Sequence, residues 1–155
     1  FRAWVAAQRH MGFEMDPREL SPSDKALLKT VTNWWKENRQ WMKDANILRL
    51  PCDDKSVTAE IQINSSKNHF VVFAGQNALS EFSSPVPLVL SGLDSMAMYN
   101  VSLYNKNHIN SLGKSNGGLL QKTLKLSGQF LMNHGLQLPK AFPASMMVIE
   151  GDKAA

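Results

Sequence analysis

The residues best suited by type and spacing to do chemistry are two pairs of carboxylates, Glu14 with Asp16 and Asp53 with Asp54. Alternate residues of an extended segment share a face, so a short strand over residues 12–16 would turn Glu14 and Asp16 to one side and Phe13 and Met15 to the other. Two converging carboxyl groups are what acid/base hydrolysis requires. Pro17 and the helix start behind it argue equally for a structural carboxylate at Asp16. Asp53 and Asp54 are adjacent, so their side chains point apart, and the Asp-Asp-Lys run reads as a solvated turn. His10, His69, His108 and His134 share no metal-ligand spacing, and Cys52 has no second cysteine or nearby histidine, which argues against zinc and thiol chemistry. Gly117-Gly118 lacks the strand and helix context of a phosphate loop. No cofactor is expected, and no residue of this chain is assigned as catalytic, substrate-binding or metal-ligating.

The elements that would position such residues follow from spacing. Ser21 before Pro22, with Asp24 three residues on, is a helix start: the hydroxyl accepts from an orphan amide, proline suits the first helical position, and the acid answers the cap. Leu27, Leu28, Val31, Trp34, Trp35, Trp41 and Met42 then recur every three or four residues, predicting a helix over 22–45, roughly 35 Å long. Upstream, Phe1, Trp4, Val5 and Gln8 read as one face of another helix. The order helix, short strand, loop, long helix is that of an α/β layer.

Beyond residue 45 the period changes to two. Strands are predicted over 47–50, 57–63, 69–74, 86–90, 98–104, 119–130 and 145–150, separated by Asp-, Ser-, Asn- and Gly-rich turns. Short strands at this spacing without intervening helices predict an antiparallel β-sandwich. Residues 105–118 read as the most mobile loop, and 151–155 as a frayed tail.

The 155 residues, 43% hydrophobic and 19% charged, suffice for one domain or a small domain with an appendage. No apolar run is long enough to cross a membrane as a helix. The net charge of +4 is carried by scattered lysines and arginines, without a basic helix or aromatic RNA-binding motif, so neither nucleic acid nor a membrane is an expected partner. One cysteine allows no internal disulfide and fits a reducing, cytoplasmic setting. A chain that opens on Phe-Arg-Ala-Trp-Val, with its apolar pattern already running, is expected to be the C-terminal fragment of something larger.

An ordered set of motifs carries a family resemblance. Residues 12–21 (Gly-Phe-Glu-Met-Asp-Pro-Arg-Glu-Leu-Ser), Trp35-Lys36-Glu37-Asn38-Arg39 and Ile47-Leu48-Arg49-Leu50 resemble the end of the catalytic barrel of glycoside hydrolase family 36 α-galactosidases. Leu90-Ser91-Gly92-Leu93-Asp94 ahead of Tyr99-Asn100-Val101 resembles a turn of the same family, and residues 131–139 (Leu-Met-Asn-His-Gly-Leu-Gln-Leu-Pro) resemble a motif near its C-terminus. Trp35 replaces the family's usual tyrosine before Lys36, and residues 105–118 match no part of the pattern.

The resemblance implies a mainly β chain, with a Greek-key type antiparallel β-sandwich over 46–150 preceded by the last helix-strand-helix elements of a (β/α)8 barrel over 1–45. It also implies a parent enzyme that removes terminal α-linked galactose with retention, using two carboxyl groups about 5 to 5.5 Å apart. That pair would lie upstream of Phe1, leaving this segment a structural or accessory role and no activity alone. Its expected partners are the rest of the barrel and the parent's α-galactoside, with a second copy of the chain as an open alternative. Trp34, Trp35 and Trp41 could stack on sugar rings, but beside Leu27 and Val31 they read as core. Arg39 is expected in a structural salt bridge. The alternative is an independent carbohydrate-binding or protein-interaction module, for which Tyr99, Tyr104 and Phe130 are the candidate contact residues.

Overall fold

The computed structural model describes residues 1–112 and 118–155, which form two compact units, Phe1–Asp44 and Ala45–Ala155.

In the first unit, α1 (Arg2–Ala7) buries Trp4 and Ala7, and α2 (Pro22–Met42) buries Val31, Trp34 and Met42. Trp4 meets Trp34 edge to face, with centroids 5.4 Å apart and planes at 72°. The Ser21 cap forms as expected: its Oγ accepts from the Asp24 amide at 3.1 Å and donates to the Asp24 carboxylate at 2.6 Å. Helix α2 stops at Met42, not 45, because Asn46 is already paired with Ile63 in the sheet. The strand expected over 12–16 does not form. Its alternation has no neighbouring strand to pair with, and Asp16 instead caps a 3-10 turn, Pro17–Glu19.

The second unit is built on one antiparallel sheet of β1 (Asn46–Leu50), β2 (Val57–Ile63), β3 (His69–Gln76), β4 (Met98–Leu103), β5 (Leu124–Ser127) and β6 (Ser145–Lys153), in the order β1-β2-β3-β6-β4-β5. Every pairing is antiparallel. Strand β6 continues three residues past the expected end, so the tail from Gly151 is part of the sheet: Gly151 pairs with Phe70, and Asp152 with His69. Residues 86–90 give only an isolated bridge between Leu88 and Leu136, since Pro85 and Pro87 lack the amide protons a ladder needs. The stretch 119–130, expected as one strand, divides into α3 (Gly118–Gln121), β5 and α4 (Gly128–Asn133). Ser127 makes the break, its Oγ accepting from the Phe130 amide at 3.1 Å as the cap of α4.

The main hydrophobic cluster lies on one face of this sheet, while Val71, Phe73, Met146 and Val148 are buried on the other. Ile61, Ile63, Phe70, Val72, Tyr99, Val101, Met147 and Ile149 meet Leu88, Leu90, Leu131, Leu136 and Leu138 from the chain between the strands. The layer facing the sheet is thus irregular chain and short helix, joined by the Leu88–Leu136 bridge, where a second regular sheet was expected. Of the loop expected to be mobile, residues 113–117 lie outside the described residues. Its first residue is fixed: buried Asn105 donates to the Met146 carbonyl at 2.7 Å and accepts from the Val148 amide at 3.0 Å.

Candidate functional site

Two of the four candidate carboxylates, Asp16 and Asp54, are committed to structure. Arg18 grips Asp16 through both guanidinium Nε and Nη2, at 2.9 and 2.6 Å from Oδ2, while the Arg18 amide donates to Oδ1 at 2.9 Å. The guanidinium first, and then the amide, hold the Asp16 carboxyl below the usual carboxylate range, and Asp16 raises Arg18 in return. Glu14 is exposed outside any regular element. The convergence expected of the pair depended on a strand that is absent.

The turn at Asp53-Asp54 behaves differently at its two residues. Asp53 is exposed, but Asp54 is 5% exposed and is the centre of a polar cluster that sequence reasoning treated as solvated turn. Its Oδ1 accepts from the Ser56 amide at 2.9 Å and the Ser56 hydroxyl at 2.5 Å, and its Oδ2 accepts from the Ser80 hydroxyl at 2.6 Å. Gln76 Nε2 donates to Ser56 Oγ at 2.6 Å and to the Ala78 carbonyl at 2.7 Å. Burial pushes the Asp54 carboxyl up, but the two hydroxyls and the amide outweigh it and leave the group below its ordinary value. The Asp-x-Ser spacing, which suits an Asx turn, was the available signal. Nearby Cys52 is half-buried, and burial pushes its thiol up, the opposite of an activated nucleophile.

Histidines and aromatics are likewise dispersed. His69 Nδ1 lies 2.6 Å from Asp152 Oδ1 across the β3–β6 pair, whereas His10, His108 and His134 are exposed. Among the described residues no group of three His, Cys, Asp or Glu could hold a metal ion. Trp35 donates from Nε1 to the Arg9 carbonyl at 2.8 Å, and Trp41 to Asn38 at 2.8 Å. Arg39, expected in a salt bridge, lays its guanidinium 5.2 Å from the centroid of the Trp35 ring. Tyr99 is buried, while Tyr104, just past β4, and Phe130 in α4 are exposed, so the three do not form one exposed aromatic surface.

The motifs at 90–94 and 131–139 meet each other. Leu90 donates from its amide to the Leu131 carbonyl at 3.0 Å, and Leu88 and Leu136 exchange amide-to-carbonyl bonds of 2.9 and 2.8 Å. Gly135 takes a φ of 78°, and a Cβ there would stand 2.7 Å from the Leu88 carbonyl carbon, so glycine is required. The Tyr99 hydroxyl donates to the Lys67 carbonyl at 2.7 Å and accepts from the Asp94 amide at 3.2 Å. The Met96 amide, and then Lys153 at 3.2 Å, hold Asp94 below the usual carboxylate range. These motif residues clamp the irregular layer to the sheet.

A separate feature lies within the first unit. The loop before α2 and one side of that helix enclose a groove of about 500 Å³, with Phe13, Met15 and Leu28 on its apolar walls and Lys25, Lys29 and Lys36 along it.

What this arrangement defines is an antiparallel β domain whose polar residues fasten loops to a sheet. Residues 57–154, more than half of the chain, match the glycosyl hydrolase family 36 C-terminal domain. The chain belongs to that family. It is 23% identical over 160 residues to an α-galactosidase of Escherichia coli, covering 99% of this chain and 23% of that protein. Its fold is shared with the family 36 α-galactosidase AgaA of Geobacillus stearothermophilus, solved in complex with raffinose, at a TM-score of 0.78 and 18% identity over 99% of this chain and 19% of that one. An α-galactosidase of Lactobacillus brevis matches with a TM-score of 0.75 and 16% identity, over 99% of this chain and 20% of the other. The chain therefore spans about a quarter or less of the length of the relatives it matches.

Proposed function

We propose that this chain is the C-terminal segment of a retaining α-galactosidase, in which the antiparallel domain is an accessory element and the first unit is the end of the catalytic barrel. The observation that carries this reading is the match of essentially the whole chain to part of much longer enzymes of one family. The commitment of Asp16 and Asp54 to local hydrogen bonds supports a structural role, since a carboxylate held by its own loop is not free to attack an anomeric carbon or to protonate a leaving oxygen. On this reading the nucleophile and acid/base lie outside these residues, the segment alone is inactive, and the remainder of the enzyme is its partner. A cytoplasmic setting fits the single half-buried thiol. Among the described residues no helix is long and apolar enough to cross a membrane.

Side-by-side hydrolysis of a chromogenic α-galactoside by the full-length parent and by this 155-residue chain tests the proposal. Activity in the parent alone supports it. Activity in the isolated chain overturns the accessory role, and no activity in either favours the binding-module alternative.

A further inference from the structure

Beside the Asp54 cluster lies a small cavity of about 10 Å³, bordered by Asp54, Gln76, Ser80 and Lys140. That is close to the least volume that admits one water, and it is too small for a larger ligand. The charges around it are opposed. Asp54 is a carboxylate that its hydroxyl and amide donors keep ionised. Lys140 brings an ammonium group, held over the neighbouring loop by the Phe82 and Ser83 carbonyls, each 3.3 Å from Nζ. A cation in the cavity would face Lys140 and an anion would face Asp54, so the occupant that suits both is a neutral dipole.

The hydrogen-bonding capacity of the walls gives the same answer. Asp54 Oδ1 accepts from both the amide and the hydroxyl of Ser56, but among the described residues Oδ2 accepts from Ser80 only, which leaves that oxygen room for a second donor. Both amide hydrogens of Gln76 are engaged, by Ser56 and by the Ala78 carbonyl, so its side chain has an acceptor alone to offer. The Ser80 hydroxyl donates to Asp54 and accepts from the Phe82 amide at 3.1 Å. An ammonium has three hydrogens, of which the two carbonyls take two. Pro85 and Pro139 bring no amide hydrogen to the wall, so the third hydrogen of Lys140 is the donor these side chains can supply. One donor and two acceptors around so small a volume match the three partners that a buried water ordinarily has.

We propose that this cavity binds a single structural water, which accepts from Lys140 and donates to Asp54 and Gln76, so that the opposite charges are joined through solvent and not by direct contact. The water ties together three stretches that lie outside the strands, namely the turn at 53–56, the loop at 78–86 and the segment at 138–140. The site does not depend on the activity of the parent enzyme.

The test is a crystal structure of the full-length parent at a resolution that shows ordered water, repeated on Lys140→Met, which keeps an apolar stem and removes the ammonium. The expected result is one solvent peak at about 2.7–3.2 Å from Asp54 Oδ2, Gln76 Oε1 and Lys140 Nζ. In Lys140→Met its occupancy should fall several-fold while the bonds from Ser56 and Ser80 to Asp54 persist. The absence of a peak in the parent would overturn the proposal, as would a direct contact of Lys140 Nζ with Asp54 that closes the cavity, or a peak whose occupancy ignores the substitution. Crystals soaked in rubidium bromide separate water from ions: an anomalous signal at the site would mean that an ion occupies it and would equally overturn the proposal. The parent alone thus decides between water, an ion and an empty cavity, and the variant decides whether Lys140 holds the water.

Discussion

Gly128 lies so close to Asp94 that a Cβ built on it would stand 2.0 Å from the Asp94 carbonyl oxygen. The obstacle is backbone, not the end of a flexible side chain, so the turn carrying the Leu93-Asp94 motif must move if this position grows. Around it, the Gly128 amide donates to the Ala97 carbonyl at 2.8 Å and the Gln129 amide to the Ser95 carbonyl at 3.1 Å. Replacing Gly128 with Ala is therefore expected to cost about 1–3 kcal/mol by overpacking, read as a lower denaturation midpoint in urea. An unchanged midpoint would mean that the turn yields freely.

Tyr99 ties two turns together through its hydroxyl while its ring meets Phe70 edge to face at 5.4 Å. Tyr99→Phe keeps the ring and removes the tie. The expected loss is about 0.5–1.5 kcal/mol, with hydrogen exchange rising at the Asp94 amide in the turn before it rises at the amides of the sheet.

The Asp54 cluster sets a pH dependence. Its carboxyl is held below its unfolded value, so the stabilisation it gives is fully present above the unfolded pKa and is lost as pH falls through the folded one. Melting temperature should drop on acidification below the ordinary carboxylate range, and Asp54→Asn should flatten that part of the profile while costing about 1–3 kcal/mol near neutrality. If the variant keeps the full acid sensitivity of the parent sequence, Asp54 is not its source.

Arg39 over Trp35 calls for a smaller effect. Arg39→Ala should cost about 0.5–1 kcal/mol at this partly solvated site, lowering the melting temperature of the parent while its preference among α-galactosides stays the same. Altered preference with unchanged melting would give Arg39 a role at the substrate instead.

The sequence was most readable where local chemistry and tertiary need agree. Ser21, Pro22 and Asp24 start α2 at the residue their types demand, and β2 occupies the residues its alternation predicts. It misled where alternation ran on without a partner, as at 12–16, and where one polar residue redirected the backbone, as Ser127 does in dividing β5 from α4. Burial of Asp54 depends on Ser80, 26 residues away, and such a contact leaves little trace in spacing. Similarly, the motif at 131–139 was recognisable as a pattern, but that Gly135 and Leu136 clasp Leu88 emerges only once the chain has folded back.

Strand β6 stands between β3 and β4, joining the β1-β2-β3 meander to the β4-β5 hairpin. During synthesis, a chain that has emerged only as far as Ala144 holds these as two separate pieces, each with the inner edge of its sheet unpaired. Neither piece has the middle of the core, because Met147 and Ile149 have not yet arrived. The domain must therefore complete its folding late, after Ser145 to Lys153 have cleared the ribosome, and until then β3 and β4 offer bare edges to any other nascent strand nearby.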